Sequence, residues 1–197
     1  CARVSTGVQG EYMRELEYPF NGEYLLKKKK SIKRTLLQDG SVRLRKKIAV
    51  LGGSTTDDIV KLLELFLLNY GIEAEFYESG YNRYYEDGVF GNEKLTEFAP
   101  DLVYIHTTSR NVPGLMFPQP EDSREEVERK LEEAYSHFRQ VWEGIGKQFH
   151  CPVIQNNFEK PSYRLLGNMD AWDFRGRESF LGQLNQRFYQ DAEEHDD

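Results

Sequence analysis

Lys47-Ile48-Ala49-Val50-Leu51-Gly52-Gly53-Ser54-Thr55-Thr56-Asp57 is the stretch on which the fold turns. Its short apolar run halts at two glycines, which reads as a buried strand. Directly afterwards, residues 55–70 place Ile59, Leu62, Leu63, Phe66, Leu67 and Tyr70 at helical spacing, and Gly71 closes that helix as a C-terminal cap. A strand that ends in glycine and runs at once into a helix is the opening unit of a parallel α/β sheet.

The pattern repeats towards the C-terminus. Ile72 to Tyr77 alternates as a second strand, followed by a loop, 79–92, rich in Tyr, Gly and Asn, and a helical turn at 93–98. A third strand is predicted at Leu102 to Ile105, after Pro100. A Pro-containing loop, 107–122, then leads to the longest helix, 123–149. Val127, Leu131, Ala134, Tyr135, Phe138, Val141, Trp142, Ile145 and Phe149 form its stripe, with Ser123 and Glu126 as a capping box at its start. Pro152-Val153-Ile154 is the fourth strand, 156–177 a loop, 178–191 the last helix, and Glu193–Asp197 a frayed acidic tail.

Towards the N-terminus the reading gives three parts. Residues 1–12 are aperiodic and read as a tag or a disordered lead-in. Residues 13–45 form a basic helical segment, and 46–197 form the α/β domain. The helix of the basic segment, 23–38, carries Tyr24, Leu25, Ile32, Leu36 and Leu37 as its apolar stripe, with Lys27–Lys30 and Lys33-Arg34 around it, and Asp39-Gly40 ends it.

The 197 residues suffice for one domain with a proper core. The net charge of −7 is unevenly spread: residues 1–48 sum to about +7 and the remainder to −14. An acidic body argues against nucleic-acid binding by the domain itself. No apolar run reaches the roughly 18 residues of a membrane span, and no signal-peptide core is visible. With two cysteines, Cys1 and Cys151, there is no disulfide framework, so a reducing cytoplasm is the expected setting. No Cys/His cluster has metal-ligand spacing.

Four alternations of strand and helix imply a three-layer α/β/α sandwich around a parallel sheet. Ligands of such sheets bind at the carboxyl ends of the strands, which directs attention to loops 52–57, 79–92, 106–122 and 155–177. In the first, Ser54 sits between a strand and a helix N-terminus. Gly53, Ser54 and Thr55 there offer backbone N–H groups to an anion or a developing oxyanion. A serine so placed is a nucleophile if a base is near, and a plain helix cap if Ser54 or Thr55 turns back on the helix. Neither a GxGxxG nor a Walker loop is present. In the third loop, His106 is a candidate base, Asn111 an oxyanion donor and Arg110 a phosphate or carboxylate partner. Tyr81 and Asn82 in the second loop, and Asn156, Asn157, Glu159, Arg164, Asn168 and Asp170 in the fourth, are candidate pocket residues. Part of this set is expected to serve only backbone satisfaction.

Several blocks resemble one family in the right order. IAVLGGSTTDDIVKLLELFLLNYGIEAEFYESGYNRYYED (48–87), FAPDLVYIHTTSRN (98–111), PVIQNNFEKPSYRLLGNMD (152–170) and Leu184-Asn185 are similar to the N-terminal domain of FkbH-like proteins. The resemblance runs from about Met13 to the end. It implies a flavodoxin-like, SGNH-hydrolase-like sheet, joined in the family to a C-terminal domain of the HAD superfamily that binds magnesium and carries a DxDxT-type aspartate. That motif is absent from these residues, so the chain is expected to be the N-terminal domain alone, without a cofactor of its own. The family further implies a part in loading a glyceryl or acyl unit, derived from phosphorylated glycerate, onto an acyl carrier protein in polysaccharide or secondary-metabolite pathways.

Carried over residue by residue, the SGNH blocks match in part. The serine of the first block falls on Ser54, with Gly-Gly-Ser in place of Gly-Asp-Ser. Gly80 stands for the second-block glycine, and Asn111 for the third-block asparagine without its surrounding Gly-x-Asn-Asp. The final Asp-x-x-His has no match, since Ala192 lies three residues before His195. Two functions stay open. One is an acyl esterase or transferase with Ser54 as nucleophile, an oxyanion site of Ser54, Gly80 and Asn111, and His106 or a residue outside these blocks as base. The other is a binding module without catalysis, whose basic segment 27–34 docks an acidic acyl carrier protein and presents its arm to the HAD domain.

Overall fold

The computed structural model describes residues 13–38 and 40–195. Four strands, β1 (Leu44–Gly52), β2 (Ile72–Glu78), β3 (Leu102–His106) and β4 (Val153–Gln155), form one sheet in the order β2-β1-β3-β4. Every pairing is parallel, with Ile48 opposite both Phe76 and Leu102. Among the described residues six α-helices accompany them: α1 (Gly22–Leu37), α2 (Asp57–Asn69), α3 (Tyr84–Val89), α4 (Glu93–Phe98), α5 (Arg124–Gln148) and α6 (Arg177–Glu194).

Alternation along the strands decides which helices lie on which face. Ala49, Leu51, Val103 and Ile105 point into one cluster with Leu95 of α4, Val127, Leu131, Phe138, Val141 and Ile145 of α5, and Phe180, Leu181, Leu184 and Phe188 of α6. Ile48 and Val50 point the other way, onto Val60 of α2, beside Leu67, Ala74, Phe76, Leu102 and Tyr104. The architecture is therefore α/β/α with a wholly parallel sheet, as the sequence predicts.

α1 adds a further layer, packed on α2. Its buried residues Leu25, Ile32 and Leu36 close over Leu65 and Leu68 of α2, each such burial contributing about 2 kcal/mol. Tyr24 and Leu37, expected in that stripe, are exposed instead; the helix presents a narrower face than its apolar content implied. Because α2 is covered on two sides, its interior positions differ from the predicted stripe: Val60, Leu65 and Leu68 are buried, while Tyr70 lies at the surface.

Other differences are local. α3 lies within the stretch predicted as loop, stabilised by close crossing with α5: a side chain on Gly144 would meet Gly88 O at 2.3 Å. The final helix runs on to Glu194, through part of the predicted frayed tail; residues 196 and 197 lie outside the described residues, as do 1–12 and Asp39. The predicted α2 terminator is present, with Gly71 in the left-handed region at φ +77° just past the C-cap Tyr70. Ser123 caps α5, its Oγ accepting from Glu126 N at 3.1 Å. Among the described residues no helix is long and apolar enough to cross a membrane.

Candidate functional site

The strand order creates a parting of the chain. From β1 the chain moves outward to β2, while from β3 it moves the opposite way to β4. The connections after β1 and β3 therefore leave in opposite directions, and this switch point is where parallel sheets form their ligand crevice. Gly52 opposite His106 is the last pair of the β1–β3 ladder, and Gly53 N extends it by donating to His106 O at 2.8 Å.

Around this point the turn after β1 is held from both sides. On the β2 side, Gly52 N donates to Ser79 Oγ at 2.9 Å, and Thr56 Oγ1 donates to Glu78 Oε2 at 2.9 Å. On the β3 side, Asn111 Nδ2 donates to Gly53 O at 2.8 Å and to Asn82 Oδ1 at 3.0 Å. Asn111 Oδ1 accepts from Thr108 N at 2.8 Å. The amide of Asn111 thus fills the space a side chain at position 53 would need; a Cβ there would lie 2.4 Å from its Nδ2. This is the physical reason for glycine where the resembled motif carries aspartate.

Ser54 sits in the middle of this braced turn, half-buried, and its hydroxyl has no hydrogen-bond partner among the described residues. Of the two readings of the turn, the one in which the side chain of Ser54 or Thr55 caps α2 is not the one formed. Thr56 is the N-cap, its φ of −108° and ψ of −6° are not the extended values of a capping residue, and no side chain closes the helix start. Thr56 is drawn away from that role by Glu78.

His106 lies at the end of β3 on the face shared with Tyr104, whose hydroxyl is 3.0 Å from its Nδ1. Burial pushes the His106 pKa down, with the charge of Glu159 opposing, which favours the neutral imidazole over the imidazolium. It makes no hydrogen bond to Ser54. Both Nδ2 protons of Asn111 are already committed, so in this geometry it braces the turn and leaves no donor for an oxyanion.

The fourth loop divides into two groups. Asn156 ties β3 to β4, accepting from Thr107 N at 2.9 Å and donating to Thr107 O at 2.7 Å; it also donates to Asn157 O at 3.0 Å. Glu159 accepts from Ser109 N and from Ser109 Oγ at 2.6 Å, next to the charge of Arg110. These contacts, set against burial, hold its carboxyl below the usual range. Arg164 and Asp170 belong elsewhere. Arg164 pairs with Glu178 at 3.2 Å. Fully buried Asp170 accepts from Glu178 N at 2.8 Å and Leu166 N at 3.0 Å, bracing the start of α6. Thr55, Tyr81 and Asn168 are exposed. Gly80 accepts from Arg83 N at 3.1 Å in the turn after β2. Among the described residues no three His, Cys, Asp or Glu side chains converge as a metal set.

The sequence reading passed over His137, which reaches this site through Tyr84 of the tyrosine-rich stretch 79–92. Tyr84 of α3, almost wholly buried, has its hydroxyl 3.2 Å from Asn111 O and 2.9 Å from His137 Nε2 of α5. The local signal was slight, since His137 stands in the polar flank of the α5 stripe.

The fold and this crevice define a class: a three-layer α/β/α domain with a parallel sheet and a polar switch-point turn. Within that class the chain is similar to the N-terminal part of the protein BF1531 from Bacteroides fragilis, whose crystal structure contains a phosphatase domain complexed with Mg. The TM-score is 0.64 at 18% identity, over 84% of this chain and 42% of that one. The likeness establishes a shared fold, and this chain spans less than half of that structure's length. No family model and no curated protein matches the chain.

Proposed function

We propose that this chain is the N-terminal, SGNH-hydrolase-like domain of an FkbH-like protein whose other half is a phosphatase-type HAD domain with its Mg. In that role it takes part in moving a glyceryl or other acyl unit onto an acyl carrier protein, and the crevice around Ser54 receives the acyl group. The observation that carries this reading is the uncommitted Ser54 hydroxyl within a turn braced at Gly52, Gly53 and Thr56. Fold similarity to a protein with a phosphatase domain supports the context.

As nucleophile, Ser54 Oγ would attack the carbonyl of an acyl phosphate donor, pass its proton to a base and expel the phosphate; the carrier thiol, losing its proton, would then attack the resulting ester and displace Ser54 Oγ, which takes a proton back. The backbone N–H groups at the start of α2 would face the oxyanion. The absence of a Ser54–His106 hydrogen bond favours a second reading, in which the crevice binds and presents the acyl arm without covalent chemistry.

Ser54→Ala separates the two. Carrier loading with a glyceryl donor, followed by mass spectrometry, should be abolished if Ser54 is the nucleophile, while carrier affinity stays unchanged. Full loading by Ser54→Ala would sink the covalent reading and leave the binding one.

A further inference from the structure

The crevice is tied to the helical layer beneath it by a chain of three groups that the proposed chemistry does not use. Tyr84 has one hydroxyl proton and two neighbours, His137 Nε2 at 2.9 Å and the main-chain carbonyl of Asn111 at 3.2 Å. A carbonyl only accepts. Both contacts are satisfied together in one arrangement alone: Tyr84 donates to Asn111 O and accepts from a proton on His137 Nε2. That assigns His137 the Nε2–H tautomer.

The ring of His137 is held for this. It stacks on Tyr85 with centroids 4.4 Å apart at 9°, and stands edge-on to Phe138 at 5.0 Å. Tyr85 is itself fixed by donating to Gln140 Oε1 at 2.6 Å. The helices that carry the pair cross closely at Gly88 and Gly144, where Gln148 Nε2 also donates to Gly88 O at 2.8 Å. Burial favours the neutral imidazole, against the charge of Glu86. Beyond Tyr84, Asn111 directs both its amide protons at Gly53 O and Asn82.

We propose that His137 and Tyr84 are positioning residues, which fix Asn111 against Gly53 and thereby set the place of the Ser54 hydroxyl. This rests on the proposed role of Ser54, but its first readout does not. In the full chain labelled with 15N, Tyr84→Phe and His137→Leu should both displace the resonances of the Asn111 side-chain amide and the Gly53 N–H. His137→Gln, which keeps a donor near the Nε2 position, should restore them. Ile32→Val, a core change in the separate cluster between α1 and α2, should leave them in place. A second readout is the rate at which Ser54 is labelled by an alkyl fluorophosphonate, expected to fall about tenfold in Tyr84→Phe and His137→Leu, the scale of one lost buried hydrogen bond, and to recover in His137→Gln. Unmoved resonances in Tyr84→Phe and His137→Leu, or equal displacement in Ile32→Val, would overturn the proposal. Should Tyr84→Phe not fold, the His137→Leu and His137→Gln pair decides by the same resonances. A wild-type chain that resists the fluorophosphonate counts against a nucleophilic Ser54, and the resonances then decide the positioning role by themselves.

Discussion

Asn111 Nδ2 lies 2.8 Å from Gly53 O across 58 residues of sequence, and the same amide occupies the space that any side chain at position 53 would enter. The two residues specify each other: the glycine admits the amide, and the amide closes the end of the β1–β3 ladder.

Gly53→Ala should therefore destabilise by about 1–3 kcal/mol, the usual range for overpacking, with the urea midpoint as the measure. Asn111→Ala should itself cost about 1–3 kcal/mol, since Gly53 O and Thr108 N lose their partner. Combined, the two should cost clearly less than their sum, because the second removes the atoms that the first collides with. Strict additivity would show that the contact is relaxed in solution.

Asp170 provides a second test. It holds Glu178 N and Leu166 N from a fully buried position, so Asp170→Ala leaves one donor in the first turn of α6 and one in the preceding loop without their acceptor. A loss of about 2–3 kcal/mol is expected, far more than for Asn168→Ala on the exposed turn beside it. Chemical denaturation of the two variants side by side checks this.

Stability should also depend on pH through two histidines. Burial lowers the pKa of both His106 and His137 from the ordinary 6.5. Between the lowered values and 6.5 the unfolded chain binds more protons than the folded one, so stability rises with pH in that window. The contribution is complete above 6.5 and is lost as pH falls through the folded values. His106→Gln together with His137→Gln should flatten the urea midpoint between about pH 5 and 7; an unchanged slope would count against burial of the two rings.

The α3–α5 crossing supports the crevice from below. With a Cβ 2.3 Å from Gly88 O, Gly144→Ala has no room without separating the helices. It should lower stability by about 1–3 kcal/mol and, unlike Gly146→Ala, whose Cβ meets nothing within 4 Å, weaken the Tyr84 contacts to Asn111. Hydrogen exchange at α3 in the two variants measures the difference.

The sequence by itself determined the alternation of strands and helices, the α5 stripe, and the place of Ser54 between β1 and α2. These follow from local periodicity and from glycines that stop an element, which neighbouring residues specify among themselves. It left open a helix cap at Ser54 or Thr55, where tertiary contact decided: the N-cap is Thr56, and Glu78, 22 residues on, takes its hydroxyl. Only the tertiary structure brought Asn111 to Gly53 and His137 to Tyr84, across 58 and 53 residues. No local pattern encodes such pairs, because they arise where strand order makes two loops diverge and where two glycines let α3 and α5 approach.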